Sequence, residues 1–121
     1  MGGSGFRAGV GRVDATPPLT APHASWGAQV HVLPDGVEAP LWASALVVDD
    51  GKTMAAWIDL DVVIITRAES DAIREAVGAA LGIPASHVRA SVTHNHAGPP
   101  PSVWNWTNQG QAALDGYFAM L

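Results

Sequence analysis

Apolar and polar positions divide the chain into a few elements. Phe6 to Val13 is an apolar stretch interrupted by glycines and predicts a short first strand. It stops before Asp14-Ala15-Thr16-Pro17-Pro18, because proline has no amide to give to a sheet ladder. Residues 17 to 40 hold five of the nine prolines together with Gly27 and Gly36, which predicts a long extended connection. Leu41 to Val48 and Met54 to Ile65 are β-rich apolar runs. Between them, Asp49-Asp50-Gly51-Lys52 has the turn chemistry of an antiparallel hairpin.

Helical spacing takes over at Thr66. Thr66-Arg67-Ala68-Glu69 places a hydroxyl and, three residues on, a carboxylate where each can satisfy an open amide of a helix start. Ile73, Ala76, Val77, Ala80 and Leu81 then recur on one face, and Gly82 and Pro84 provide the stop, giving a helix over 67–81. From His87 the pattern alternates, with Val88, Ala90 and Val92 on one side and Arg89, Ser91 and Thr93 on the other, which predicts a half-buried strand over 87–94. Strand 54–63, helix 67–81 and strand 87–94 make a βαβ unit with parallel strands. A further helix is expected from about Gln111, and its lack of a stop signal before Leu121 suggests that the sequence is cut inside it. The expected fold class is α/β: a mixed sheet with flanking helices, a β-hairpin followed by a βαβ unit, in an incomplete domain.

Open α/β sheets bind ligands beyond the carboxyl ends of parallel strands. Asp59 and Asp61 fall at that edge after one strand, and His94 and His96 after the other. In extended geometry His94 and His96 would project to one side, about 6.6 Å apart along the backbone. Two imidazoles so placed can share one ion, or one can ligate while the other meets a substrate; imidazole suits Zn²⁺. The bland alternative is a solvated pair of loop histidines. Asp59 and Asp61 are candidates either for ligands or for acceptors that orient a metal-bound imidazole, or are solvated carboxylates at a strand end. His23, His31 and His87 stand alone and are left out of the expected site. Trp26, Trp104 and Trp106 lie in expected loops, where they either line an apolar pocket or pack beneath the loops.

Composition narrows the chemistry. Six Lys and Arg against eleven Asp and Glu give a net charge of -5, the wrong sign for gathering phosphates, so no nucleic-acid partner is expected. With no cysteine, a metal site must be built from imidazole, carboxylate, phenol or water. Met1 to Gly5 lacks the apolar core of a leader, and no run approaches the roughly 18 apolar residues of a membrane span. As written, the chain is expected to be cytoplasmic, or secreted if its natural amino terminus lies further upstream.

Several pieces in one order carry a family resemblance. They are Phe6-Arg7-Ala8-Gly9-Val10-Gly11-Arg12-Val13-Asp14-Ala15-Thr16-Pro17-Pro18, Trp26-Gly27, Leu41 to Gly51, Asp59-Leu60, and Ser91-Val92-Thr93-His94-Asn95-His96-Ala97-Gly98-Pro99. The chain resembles the start of the neutral/alkaline non-lysosomal ceramidases, over nearly all of its length, so residues 1–121 are expected to form an amino-terminal fragment of a ceramidase-like catalytic domain.

The resemblance implies that His94 is a zinc ligand and that His96 is catalytic and contacts the substrate amide or the oxyanion formed from it; Trp26 and Gly27 are candidates for binding substrate. It implies further ligands, a second His, a Glu and a Tyr, in later sequence, so the fragment alone is expected to be inactive. The implied substrate is a small lipid-like amide, cleaved to a fatty acid and an amine (sphingosine, if the amide is ceramide), with peripheral membrane contact through that substrate and no transmembrane segment. The chain departs from the family pattern at Ser44, Glu38, Asn95 and Ala97. Two other readings remain at this point: a different metallohydrolase, such as an amidohydrolase barrel with all-parallel strands, and a non-catalytic domain with a degenerate site.

Overall fold

The computed structural model describes residues 5–23 and 28–121. Four strands, β1 (Arg7–Asp14), β2 (Trp42–Asp49), β3 (Met54–Leu60) and β4 (Val88–Val92), form one sheet in the order β1-β2-β3-β4. The first three run antiparallel and β4 runs parallel to β3. Two helices, α1 (Arg67–Leu81) and α2 (Gln111–Met120), complete the α/β fold. The sheet is mixed, as expected, which separates it from the all-parallel barrel of an amidohydrolase.

Local chemistry explains most element ends. The β2–β3 turn is held by its own acids. The Asp49 carboxylate accepts from Gly51 N at 2.7 Å, and that of Asp50 accepts from Lys52 N at 2.9 Å and Thr53 N at 2.7 Å. Gly51 takes a φ of 84°, where a side chain would be strained. These amides hold both carboxyls below the usual carboxylate range, and for Asp49 the Arg7 guanidinium adds to the effect. At the start of α1, Thr66 Oγ1 accepts from Glu69 N and Glu69 Oε2 accepts from Thr66 N, and Gly82 closes the helix at a φ of 69°. Arg74 then donates to the carbonyls of Ala85 and Val88, tying α1 to the entry of β4.

Both strands of the βαβ unit are shorter than the apolar pattern suggests. β3 ends at Leu60 rather than at residue 63. Val62 and Val63 are buried, but in a bend beyond the strand rather than in the sheet. An apolar run reports burial, and here the burial comes from a bend. β4 begins at Val88, after a short 3-10 turn at Ala85–His87, and ends at Val92.

One face of the sheet, carrying Ala43, Ile58, Leu60, Ala90 and Val92, packs with Ile73 and Val77 of α1 and with Tyr117 and Phe118 of α2. Burial of Leu60, Val62, Ile73 and Tyr117 supplies the main hydrophobic stabilisation, about 1.5–3 kcal/mol for each large apolar side chain. The opposite face presents the cross-strand row Val10, Leu46 and Trp57, of which Val10 is 85% exposed and Trp57 41%. No described helix is long and apolar enough to cross a membrane.

Candidate functional site

The parallel pairing of β3 and β4 sets Leu60 opposite Val92 and brings both carboxyl ends to one edge of the sheet. Beyond it the two chains remain stitched together. Thr93 N donates to Leu60 O at 3.0 Å and Asn95 N to Val62 O at 3.2 Å. The His94 ring adds a third link, with Nδ1 at 2.7 Å from Val63 O. A carbonyl oxygen only accepts, so Nδ1 carries the proton and a neutral His94 has its lone pair on Nε2. This is the arrangement in which metal-ligating histidines are found, with the far nitrogen fixed by a carbonyl or a carboxylate.

The two rings do not meet through strand alternation. His94 adopts a φ of 61°, in the left-handed region that non-glycine residues enter at a cost of roughly 1–2 kcal/mol. The chain has therefore left the extended geometry before His96. The His94 and His96 ring centroids nevertheless lie 4.9 Å apart with planes at 83°, an edge-on contact produced by the turn. Gly98 makes this turn feasible. A Cβ at Gly98 would lie 2.5 Å from Asp61 O and 2.9 Å from Val62 Cα, so only glycine lets the turn sit against the bend after β3. The turn is closed by Gly98 N donating to Asn95 O at 3.0 Å and Ala97 N to Asn95 Oδ1 at 2.9 Å.

The two aspartates brace this edge. Asp59 Oδ1 accepts from Ser91 Oγ at 2.8 Å, a cross-strand link between β3 and β4. Asp61 accepts from Trp42 N at 2.9 Å and from Thr93 Oγ1 at 3.0 Å, so it joins the start of β2 to the residue before His94. The partner at His94 Nδ1 is thus the Val63 carbonyl rather than either carboxylate.

Tyr117 was absent from the sequence expectations because nothing local marks it. Its buried hydroxyl donates to Ala15 O at 2.8 Å across 102 residues. Burial, and to a lesser degree the Asp61 charge, push its pKa up to about 12.

An open cleft of about 500 Å³ lies beside the histidine turn. Asn95, Ala97 and Asp61 form one wall, and the 34–41 segment, including Glu38 and Leu41, forms the other. Of the expected substrate-binding residues, Trp26 and Gly27 lie outside the described residues. Trp104 and Trp106 are exposed, and Trp106 borders a smaller cavity.

The donor chemistry fits a zinc site in part. His94 offers a fixed Nε2 lone pair, and His96 is close enough to share the same space. Among the described residues no group of three His, Cys, Asp or Glu converges to hold a metal ion, so a closed site needs donors from elsewhere.

No family model matches the chain, and no curated protein matches it at a significant level. Solved structures do. A structure described as "Ceramidase complexed with C2" superposes with a TM-score of 0.71 and 20% identity, over 94% of this chain and 20% of that one. The neutral ceramidase from Pseudomonas aeruginosa superposes with a TM-score of 0.65 and 18% identity, over 95% of this chain and again 20% of its own. The chain spans about a fifth of the length of these ceramidases, and over that fifth it has their fold.

Proposed function

We propose that this chain is the amino-terminal part of the catalytic domain of a zinc-dependent amide hydrolase of ceramidase type, with His94 as a metal ligand and His96 as the group that meets the substrate. The observation that carries the reading is the 2.7 Å contact from His94 Nδ1 to the Val63 carbonyl, which leaves the lone pair of a neutral imidazole on Nε2, in a ring whose centroid is 4.9 Å from that of His96. The fold likeness to ceramidases supports the same reading.

Bound zinc supplies a Lewis acid for the amide carbonyl and an activated water near neutral pH. The chain's own residues do the rest of what these 121 positions contribute. His94 holds the ion through Nε2. His96 donates to the oxygen on which negative charge grows, a stabilisation that acts only as the transition state is approached. The cleft between Asn95, Ala97 and the 34–41 segment receives part of the amide substrate. Asp59 and Asp61 act as braces that fix the ends of β3 and β4 rather than as ligands. The products are a carboxylic acid and an amine. Three or more protein ligands close a catalytic zinc site, so the remaining donors come from residues outside this chain, and the chain by itself is inactive.

The test uses the full-length protein. Elemental analysis is expected to find about one zinc per chain, and a chelator is expected to abolish cleavage of an N-acyl long-chain amine. His94→Ala should lose the metal, whereas His96→Ala should keep it and lose turnover. A protein that carries no zinc, or that keeps its zinc in His94→Ala, removes the hydrolase reading and leaves a binding domain.

A further inference from the structure

The connection between β1 and β2 leaves the sheet after Asp14 and re-enters it at Trp42, two residues paired across the strands. Its ends are tied together just beyond that pair. Ala15 N donates to Leu41 O at 2.8 Å, and Leu41 N donates to Thr16 Oγ1 at 2.9 Å. The first bond is backbone to backbone, but the second depends on the side chain at position 16. Asp14 orients that side chain. Its carboxylate accepts from the Thr16 hydroxyl and, at 2.9 Å, from Thr16 N, and these two donors, the hydroxyl foremost, hold the carboxyl below the usual carboxylate range. A hydroxyl has one proton to give. With that proton committed to Asp14, the lone pairs of Thr16 Oγ1 are left for Leu41 N.

This clasp stands at the cleft beside the histidine turn. Thr16 and Leu41 both line it, with Val37 and Pro40 further along the same apolar wall. The wall is pinned from two sides where it enters β2: Leu41 N by Thr16 Oγ1, and Trp42 N by the Asp61 carboxylate. The two pins differ in reach. Asp61 also accepts from Thr93 Oγ1, next to His94, whereas Thr16 touches nothing on the histidine turn among the described residues. The His94 ring keeps its own support at Val63 O. Removing the Thr16 hydroxyl therefore frees the wall and leaves the histidines as they are.

We propose that Thr16 is a positioning residue for substrate: acting through Leu41, it fixes the 34–41 wall of the cleft and so sets how tightly an alkyl chain of the amide is held, without touching the chemistry at the histidines. A wall that is loose in the free protein has to be ordered when the chain settles on it, and that ordering is subtracted from binding. Such a loss is felt equally by the bound substrate and by its transition state. It raises KM and spares kcat. That the ligand is an amide rests on the hydrolase reading; the clasp between Asp14, Thr16 and Leu41 does not.

Three amides test this on the full-length protein: N-octanoyl dodecylamine, N-acetyl dodecylamine and N-octanoyl methylamine. Thr16→Val keeps the shape of the side chain but leaves Leu41 N without its acceptor. It is expected to raise KM for the long amide about fivefold, the size of one net hydrogen bond, at unchanged kcat and zinc content. The rise should all but vanish for one of the two short amides, the one that lacks the chain lying on the wall. Thr16→Ser keeps the hydroxyl and should restore KM. Thr66→Val is the control: it removes the cap of α1, outside the cleft, and should leave KM as it was. A KM unchanged in Thr16→Val, a rise equal for all three amides, or a rise shared by Thr66→Val overturns the role of Thr16 while the hydrolase reading stands. If no amide is cleaved, the hydrolase reading falls, and calorimetric titration with the long amide decides. Weaker binding in Thr16→Val than in Thr16→Ser supports the role, and equal binding, or none to either, overturns it.

Discussion

His94 and Val63 are joined side chain to backbone at 2.7 Å, so the imidazole is held by a carbonyl in the bend after β3, and in its neutral form the lone pair lies on Nε2. The same histidine bears a φ of 61°. Function and backbone preference therefore pull in different directions at one residue, and substitution can separate them. His94→Gly relieves left-handed strain of about 1–2 kcal/mol but loses a hydrogen bond of about 1 kcal/mol and gains unfolded-chain entropy of about 0.5–1 kcal/mol. The net change in stability of the metal-free protein is expected to stay within about 1 kcal/mol of zero. Zinc affinity should be lost altogether. Chemical denaturation without metal, set beside a zinc titration, checks both halves, and a large loss of metal-free stability would show that the ring is chiefly structural.

Gly98 is the next point of leverage. Alanine there places Cβ at 2.5 Å from Asp61 O, and backbone on both sides leaves nothing flexible to yield. Gly98→Ala is expected to destabilise by about 1–3 kcal/mol and to displace the histidine turn, so turnover should fall further than stability alone explains. Gly9→Ala is the control. Its added Cβ meets nothing within 4 Å in β1, and its φ is not positive. It should be neutral or stabilise by up to about 1 kcal/mol. Equal midpoints of denaturation for the two variants would contradict the close packing of the turn.

Tyr117 gives a pH dependence whose direction follows from its environment. The hydroxyl is buried on Ala15 O, and its pKa rises from an ordinary value near 10 to about 12. The folded state therefore holds this proton more tightly than the unfolded chain does. Its contribution is complete below about pH 10 and is lost as pH rises from there towards 12. Tyr117→Phe is expected to flatten stability across that window. At neutral pH it should cost about 1–3 kcal/mol, because the buried Ala15 carbonyl loses its donor. Melting curves at neutral and strongly alkaline pH decide the matter, and an unchanged alkaline slope in Tyr117→Phe would assign the loss to another group.

How much of this was legible in the sequence depended on how local the cause was. The hairpin turn was readable because Asp49 and Asp50 cap amides two or three residues away. The limits of α1 were readable because Thr66, Glu69 and Gly82 act within one helical turn of its ends. The end of β3 was not, since Val62 and Val63 are as apolar in a buried bend as they would be in a strand. Strand parity gave the wrong reason for the closeness of His94 and His96. The contact depends on a left-handed residue whose support, Val63 O and the bare Cα of Gly98, lies in the packing of one segment on another. The Tyr117 to Ala15 bond spans 102 residues and left no local signal at all.

Asp61 separates bracing from ligation most directly. Its two oxygens accept from Trp42 N and Thr93 Oγ1, and its own amide donates to Trp42 O at 2.9 Å, so it clamps the start of β2 against the residue before His94. Asp61→Asn keeps one acceptor oxygen but turns an NH2 group towards the position of the other. If the oxygen stays on Trp42 N, the Thr93 hydroxyl can rotate to accept from the new amide, since a hydroxyl serves in either role. The fold is then retained at a cost of roughly 1 kcal/mol, and the alkaline titration of Tyr117 should begin at lower pH because the Asp61 charge that helps to raise it is gone. Ultraviolet titration of the phenol reads that shift. If Asp61 serves only to join β2 to Thr93, zinc content should match the unsubstituted full-length protein; a loss of metal in Asp61→Asn at retained stability would instead make this carboxylate a ligand.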